Sequence, residues 1–164
     1  FFSMGIGDLL MLNLFSLTKT LYICNYINFY KNIKKMNLEG RKVIVNKSSE
    51  QLFQMLKNPE DYKHLMPDSL TSFEHREDGF KFGLKGMPEV ALKIAELVEG
   101  QKVVLKSASS SLDFSLTGNI SPVNENQTEV QLLFDGNFNP FIKMMVEKPL
   151  QNFLNALTDK LEQL

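Results

Sequence analysis

The stretch NKSSEQLFQMLKNPEDY, residues 46–62, is where the hydrophobic pattern changes from the period of a strand to that of a helix. Ser48 and Gln51 have the spacing of an S-x-x-Q capping box, in which two side chains pair with free backbone N–H groups at a helix start. Asn58 followed by Pro59 repeats the signal, because Asn caps helices and Pro suits their first position. The stretch therefore predicts two short helices in succession. The apolar face of the first comprises Leu52, Phe53, Met55 and Leu56.

Strands are predicted on both sides of these helices. The segment of residues 38–46 is short and rich in β-forming residues, which indicates a first strand. Six further strands are predicted, separated by turns that contain Gly, Pro, Asn or Ser. They comprise residues 70–76, 80–84, 89–98, 102–109, 112–123 and 128–138. Consecutive strands joined by tight turns are typical of an antiparallel meander.

The chain ends in a long predicted helix. Asn139-Pro140 is again a cap followed by proline, and leucine and phenylalanine recur at helical spacing through residues 150–164. We expect Pro149 to kink this helix or to end its first part near Lys148, because proline lacks a backbone N–H. The element order predicts an α+β fold in which a curved antiparallel sheet of about seven strands wraps around the last helix, the only element long enough to cover the sheet's apolar face.

This order resembles the START-like superfamily, also called SRPBCC or helix-grip, which includes birch-pollen-allergen-like proteins, polyketide cyclases and aromatases, and lipid-transfer domains. The resemblance covers residues 36–164. The resemblance rests on two segments, residues 46–62 and the C-terminal PLQNFLNALTDKLEQL, residues 149–164. These patterns are characteristic of a fold and not of one activity. The resemblance implies that a hydrophobic or amphipathic small molecule binds between sheet and helix and that, in a minority of members, a reaction takes place there.

Alternation along the strands predicts which side chains face the last helix. Apolar residues of each strand share one face, and charged residues such as Lys93, Glu129 and Asp135 occupy the other. Two interpretations fit the apolar face: a filled core, or a ligand pocket of roughly a few hundred Å³. For a pocket, the predicted lining is Phe80, Phe82, Leu92, Ile94, Glu96, Leu105, Ser107, Phe114, Leu116, Leu132, Phe134, Met145 and Phe153.

Glu96 is the sharpest exception to the apolar character of this face. It is charged, and alternation places it on the same side of the strand as Ile94 and Val98. A buried carboxylate has to be paired, hydrogen-bonded or protonated, and it could orient a ligand hydroxyl or act as a general acid/base. The alternative is that a bulge turns Glu96 outward, or that it lies in water at the rim of the sheet. His64 and His75 are predicted to be surface residues, although His64 could line the mouth of a pocket.

Residues 1–35 have no counterpart in the START-like pattern. Their apolar span contains Lys19, and a lysine at the centre of a spanning helix costs about 2.5–3.5 kcal/mol. Three interpretations stay open: translated upstream sequence, with the protein starting at Met36; a weak membrane or targeting helix; and an additional ordinary helix. We predict that residues 1–35 lie outside the folded domain of residues 36–164, and we expect a membrane partner only if this segment is a real anchor.

The composition of the domain restricts the classes of partner that it is expected to bind. Residues 36–164 contain 14 Lys/Arg and 18 Asp/Glu, a formal balance of −4, which disfavours nucleic acid and anionic lipid surfaces. Two histidines and no cysteine lead us to expect no metal site and no cofactor. A cytoplasmic location is expected because the domain has no cysteine and residues 1–35 make a poor export signal. The absence of a long apolar stretch on the outer face predicts a monomer.

The sequence therefore predicts binding, and through it transport or sequestration, of a hydrophobic small molecule or lipid. One alternative is an enzyme resembling polyketide cyclases or aromatases, with Glu96 and His64 acting in the same cavity. Another is a protein-interaction module with a filled core. The enzyme is the less favoured of these classes, because no catalytic motif is apparent in the sequence.

Overall fold

The computed structural model describes residues 16–25, 27, 34–109 and 112–164. The chain divides into two units, Phe1–Ile33 and Lys34–Leu164. In the first unit, residues 16–25 are helical and exposed, and the rest of the predicted extension up to residue 33 lies mostly outside the described residues. Within the described part of the chain, no helix is both long enough and apolar enough to span a membrane.

The described residues of the second unit form eight strands, three α-helices and one short 3-10 helix. In chain order these are β1 (Lys34–Glu39), β2 (Val43–Val45), α1 (Ser49–Lys57), the 3-10 helix (Pro59–Asp61), α2 (Tyr62–Leu65), β3 (Leu70–Arg76), β4 (Gly79–Leu84), β5 (Val90–Val98), β6 (Lys102–Ser107), β7 (Asp113–Asn124), β8 (Gln127–Phe138) and α3 (Pro140–Glu162). The predicted capping box is present: the Ser48 hydroxyl accepts from the Gln51 N–H, and the Gln51 side chain accepts from the Ser48 N–H. The α+β class predicted from the sequence is confirmed.

All eight strands form one antiparallel sheet in the order β1-β8-β7-β6-β5-β4-β3, and β2 pairs with β8 beside β1. The meander from β3 to β8 follows the chain, so each strand pairs with the next. Helix α3 packs against the inner face of this sheet through Phe153, Leu154, Leu157 and Leu161, all of which are buried. The helix-grip arrangement predicted from the element order is confirmed.

The first predicted strand is in fact two strands, which is why the sheet has eight strands rather than about seven. Strand β1 begins at Lys34, earlier than the predicted start, and Met36 is 1% exposed. The break follows Gly40, whose N–H donates to the Leu132 carbonyl at 2.8 Å. A Cβ atom at Gly40 would lie 3.1 Å from that carbonyl oxygen and 3.2 Å from the Thr158 hydroxyl. Glycine therefore lets the edge of the sheet approach α3 closely.

The C-terminal helix runs unbroken through Pro149, so the predicted end near Lys148 is wrong. Its start is as predicted, because the Asn139 side chain accepts from the Ile142 N–H at 2.9 Å. The missing N–H of Pro149 would have paired with the carbonyl of Met145. Since the Met145 side chain is 60% exposed, that turn of the helix lies at the surface, where water can satisfy the carbonyl.

Candidate functional site

An apolar cavity lies between the inner faces of β4, β5, β7 and β8 and the middle of α3. Its volume is about 50 Å³, and it is partly open to solvent. Every lining side chain is apolar: Phe82, Leu84, Met87, Pro88, Val90, Leu92, Leu112, Phe114, Leu116, Phe134, Phe138, Val146, Leu150 and Phe153. The cavity therefore offers contact and exclusion of water, but no side-chain hydrogen-bonding partner.

Stacked phenylalanines form two walls of the cavity. Phe82 of β4 stacks on Phe153 of α3 with ring centroids 5.3 Å apart, which joins the sheet to the helix. On the other side Phe114 stacks on Phe134 at 5.2 Å, and Phe138 lies 6.3 Å beyond. Such offset aromatic pairs contribute roughly 0.5–1.5 kcal/mol beyond the burial of their area. The stacked rings therefore add to the packing that holds these walls together.

The opening is lined by less buried residues from two elements. Met87 and Pro88 lie in the loop between β4 and β5, and Val146 and Leu150 lie on α3. All four are partly or fully exposed. The spacing of Val146, Leu150 and Phe153 is that of one helix face, so the helical period alone could have added the first two to the predicted lining.

Six of the thirteen predicted lining residues lie at this cavity: Phe82, Leu92, Phe114, Leu116, Phe134 and Phe153. Leu105 and Leu132 face the interior but lie at a second cavity. Phe80 is completely buried and stacks on Tyr62 at 4.7 Å, so it fills the core instead of lining a space. Ile94 is partly buried against the same core.

Glu96 does not lie in the cavity. The pairing of β5 with β6 shifts between Ile94 and Glu96, so Ile94 is opposite Leu105 but Glu96 is opposite Val104 on the outer face. The Glu96 side chain is 50% exposed, and its carboxylate is 2.8 Å from the Lys102 ammonium. The bulge alternative is therefore the one the structure adopts. A one-residue bulge reverses the face of every side chain after it, which alternation alone cannot reveal.

Two other predicted residues also lie outside the cavity. Met145 is on the solvent side of α3, because its neighbour Val146 occupies the inward position. The Ser107 hydroxyl pairs with the backbone N–H and carbonyl of Ser109 at the end of β6, at 3.2 and 3.3 Å. The Ser107 hydroxyl is therefore paired with the neighbouring backbone and does not line the apolar cavity.

The second cavity lies on the other side of Leu116 and is smaller, at about 30 Å³. It is lined by Leu56, Tyr62, Leu65, Val103, Leu105, Leu116, Gly118, Leu132, Leu157 and Leu161. The buried Tyr62 hydroxyl donates to the Leu56 carbonyl at 2.7 Å. Burial raises the pKa of Tyr62 above its usual value, since the phenolate would lose its hydration. The hydroxyl is thus neutral and already satisfied, and it anchors the start of α2 to α1.

The remaining titratable candidates lie at the surface. His64 is exposed, and His75 is 45% exposed with its Nδ1 atom 3.9 Å from a Glu60 carboxylate oxygen. Among the described residues, no three His, Cys, Asp or Glu side chains come close enough together to hold a metal ion.

By sequence, the chain matches no protein-family model and no curated protein. By structure, it is similar to norcoclaurine synthase from Thalictrum flavum in complex with dopamine and hydroxybenzaldehyde, with a TM-score of 0.63 and 14% identity over 80% of this chain and 87% of that chain. It is also similar to a START superfamily protein from Mycobacterium smegmatis, with a TM-score of 0.55 and 14% identity over 77% of this chain and 97% of that chain.

The fold is START-like. A third similar structure, the Mll3558 protein from Rhizobium loti, has a TM-score of 0.54 and 17% identity over 79% of this chain and 99% of that chain. At identities this low the likeness concerns the path of the backbone and not the chemistry of the site. What this chain binds depends on its own side chains.

Proposed function

We propose that the START-like domain binds a hydrophobic small molecule between its sheet and helix α3, and thereby carries or sequesters it. The observation that supports this most directly is an apolar cavity, open to the surface, whose lining has no polar side chain. Ligand sites are usually concave and mainly apolar. Burial of apolar surface at roughly 25 cal/mol per Å² would supply the affinity.

The size of the cavity limits what it encloses. Ligand pockets usually measure about 300–1,000 Å³, whereas the internal free volume here is about 50 Å³. By volume, that is room for on the order of four water-sized groups. A larger ligand would extend into the solvent-open part of the concavity, or displace Met87 and Leu150 at its rim. Methionine suits such a rim because its unbranched side chain adapts to different shapes.

The enzyme alternative has less support at this cavity. General acid–base catalysis needs a titratable group within hydrogen-bonding reach of the substrate. None of the lining residues is titratable, Glu96 pairs with Lys102 on the outer face, and His64 is exposed. Binding without acid–base chemistry is therefore the function that this geometry supports best. The filled-core alternative predicts that no apolar probe enters, which the following experiment tests.

Cavity filling tests the proposal with a matched pair of variants. Val146→Phe places a ring in the cavity, while Met145→Phe places the same ring at the adjacent, 60% exposed position. We expect Val146→Phe to weaken binding of the neutral fluorescent probe N-phenylnaphthylamine by about tenfold or more, equivalent to about 1.4 kcal/mol. Met145→Phe should bind as the wild type does. Thermal unfolding of both variants checks that they are folded.

Two results would contradict the proposal. If the wild-type protein does not bind the probe, the cavity is closed and the filled-core alternative gains support. If both variants lose binding equally, the probe is at the surface of α3 and not beneath it. Native mass spectrometry of protein purified from its natural host is the complementary measurement, since a retained apolar compound would identify the ligand.

The folded domain is proposed to be independent of the preceding residues. Because β1 starts at Lys34 and the buried Met36 pairs with Gly136, the sheet needs the chain from residue 34 onward. We expect residues 34–164 alone to retain the probe affinity and unfolding midpoint of the full chain. Aggregation of this shorter chain would refute the proposed boundary. A cytoplasmic location and a monomeric state stay predictions from the sequence.

A further inference from the structure

A polar, solvent-open depression adjoins the apolar cavity. It lies between the end of β4 and the middle of α3, and its polar side chains are Ser69, Lys85 and Asn152, all exposed. The two spaces share three wall residues, Leu84, Met87 and Phe153. The depression therefore lies directly beside the cavity, next to its rim at Met87.

The backbone holds Lys85 firmly at this junction. Its N–H donates to the Ser69 carbonyl at 2.9 Å, which ties it to the chain just before β3. A turn follows in which the Met87 N–H donates to the Leu84 carbonyl at 3.0 Å. Gly86 makes this turn possible because its φ is +84°, a conformation that side chains disfavour. The turn places Lys85 two residues from Met87 of the cavity rim.

Lys85 forms no ion pair with another described residue. No hydrogen bond in the described part of the chain joins its ammonium group to another residue, and the same holds for the Asn152 amide. Two nearby lysines differ in this respect: Lys81 pairs with Glu89, and Lys160 pairs with Asp68 at 3.0 Å. Lys85 is therefore the cation at the depression whose hydrogen-bond donors stay available to a ligand.

We propose that the ligand is an amphipathic anion, with its apolar part in the cavity and its carboxylate, or a similar anionic group, beside Lys85 and Asn152. This inference rests on the proposed function. A polar group inside the cavity would lose its hydration without finding a partner, so the polar end of a ligand stays outside. The depression meets that end with an ammonium and an amide, which both donate to a carboxylate.

A pair of equal-length probes tests this ligand class: decanoate and decanol, each below its aggregation concentration, with affinities measured by displacement of N-phenylnaphthylamine from the full chain. We expect the wild type to bind decanoate more tightly than decanol. Lys85→Gln should weaken the binding of decanoate by about 2- to 5-fold, the range expected for an exposed charge pair, and leave the affinity for decanol unchanged. Lys85→Glu should weaken decanoate further. The difference between the two probes should shrink at high salt.

Lys93→Gln is the matched control, because Lys93 is an exposed lysine on β5 and lies outside both spaces. It should leave both affinities unchanged. Equal binding of decanoate and decanol, or an equal loss in the Lys85 and Lys93 variants, would overturn the anion inference while the apolar site stands. If the dye itself does not bind, the proposed function fails first. If the dye binds and neither probe displaces it, the anion inference fails while the apolar site stands. Surface lysine substitutions usually change stability by less than about 0.5 kcal/mol, so folded variants are expected.

Discussion

Two glycines on neighbouring strands provide a sharp test of the interior packing. Gly118 of β7 and Gly136 of β8 are both buried. A Cβ atom at Gly118 would lie 3.6 Å from a Leu132 methyl carbon, which is an ordinary contact beside the second cavity. A Cβ atom at Gly136 would lie 2.5 Å from the Phe138 ring and 3.1 Å from the Phe114 Cβ atom. The same substitution should therefore have opposite effects at the two positions.

The magnitudes follow from three contributions. Replacing glycine by alanine reduces the freedom of the unfolded chain, which stabilises by about 0.5–1 kcal/mol at either position. At Gly118 the methyl group also fills free space, for about 0.8 kcal/mol more, so Gly118→Ala should stabilise by about 1–2 kcal/mol. At Gly136 overpacking costs about 1–3 kcal/mol. The Phe138 ring cannot swing clear because it is buried and stacks on Phe134.

Urea unfolding of the full chain measures both effects. Because the unfolded-state contribution is shared, the difference between the two variants isolates packing, and we expect about 2–4 kcal/mol in favour of Gly118→Ala. The slope of the unfolding free energy against urea concentration should be unchanged, since the same surface becomes exposed on unfolding. The reasoning would be refuted if Gly136→Ala were as stable as Gly118→Ala. It would also be refuted if Gly118→Ala were destabilised, because the second cavity would then not exist.

Three further outcomes are expected. Phe80→Ala should destabilise the domain by about 3–5 kcal/mol in urea unfolding, because this completely buried ring stacks on Tyr62, and a smaller loss would indicate that the site collapses. Ser48→Ala should cost about 0.5–2 kcal/mol by removing the capping box of α1, while a Ser48→Asp variant should retain most of the stability. The hydrogen bond from Arg41 lowers the pKa of Glu162 below its usual 4.5, so its contribution is present above that pH and is lost as the pH falls through the lowered pKa. The wild type should therefore exceed Glu162→Gln slightly in urea midpoint near neutral pH, and the difference should vanish in acid. A constant difference would contradict this assignment.

The element order of the domain was predictable because its signals are local. Capping at Ser48 and Asn139 depends on residues three positions apart, and the strands are separated by turn-forming residues. Alternation likewise identified Phe82, Phe114 and Phe134 as inward-facing, because a strand keeps its period over several residues.

The misassigned residues have non-local causes. Whether Glu96 faces in or out depends on the register between β5 and β6, which changes at the bulge. Whether Val146 or Met145 faces the sheet depends on the rotation of α3 about its axis, which the packing of Phe153, Leu154 and Leu157 determines. The first strand is interrupted at Gly40, where a Cβ atom would lie 3.2 Å from the Thr158 hydroxyl of α3. Each of these depends on residues distant in the chain.

The class of fold, the order of its elements and the apolar character of the inner face can thus be predicted from the amino-acid sequence, since hydrophobic period, caps and turns act over a few residues. The space left between sheet and helix is visible only in the packed structure. Free volume is the small difference between the volume enclosed by the backbone and the volume of the side chains that fill it. That difference leaves about 50 Å³ beside Phe114 and Phe153.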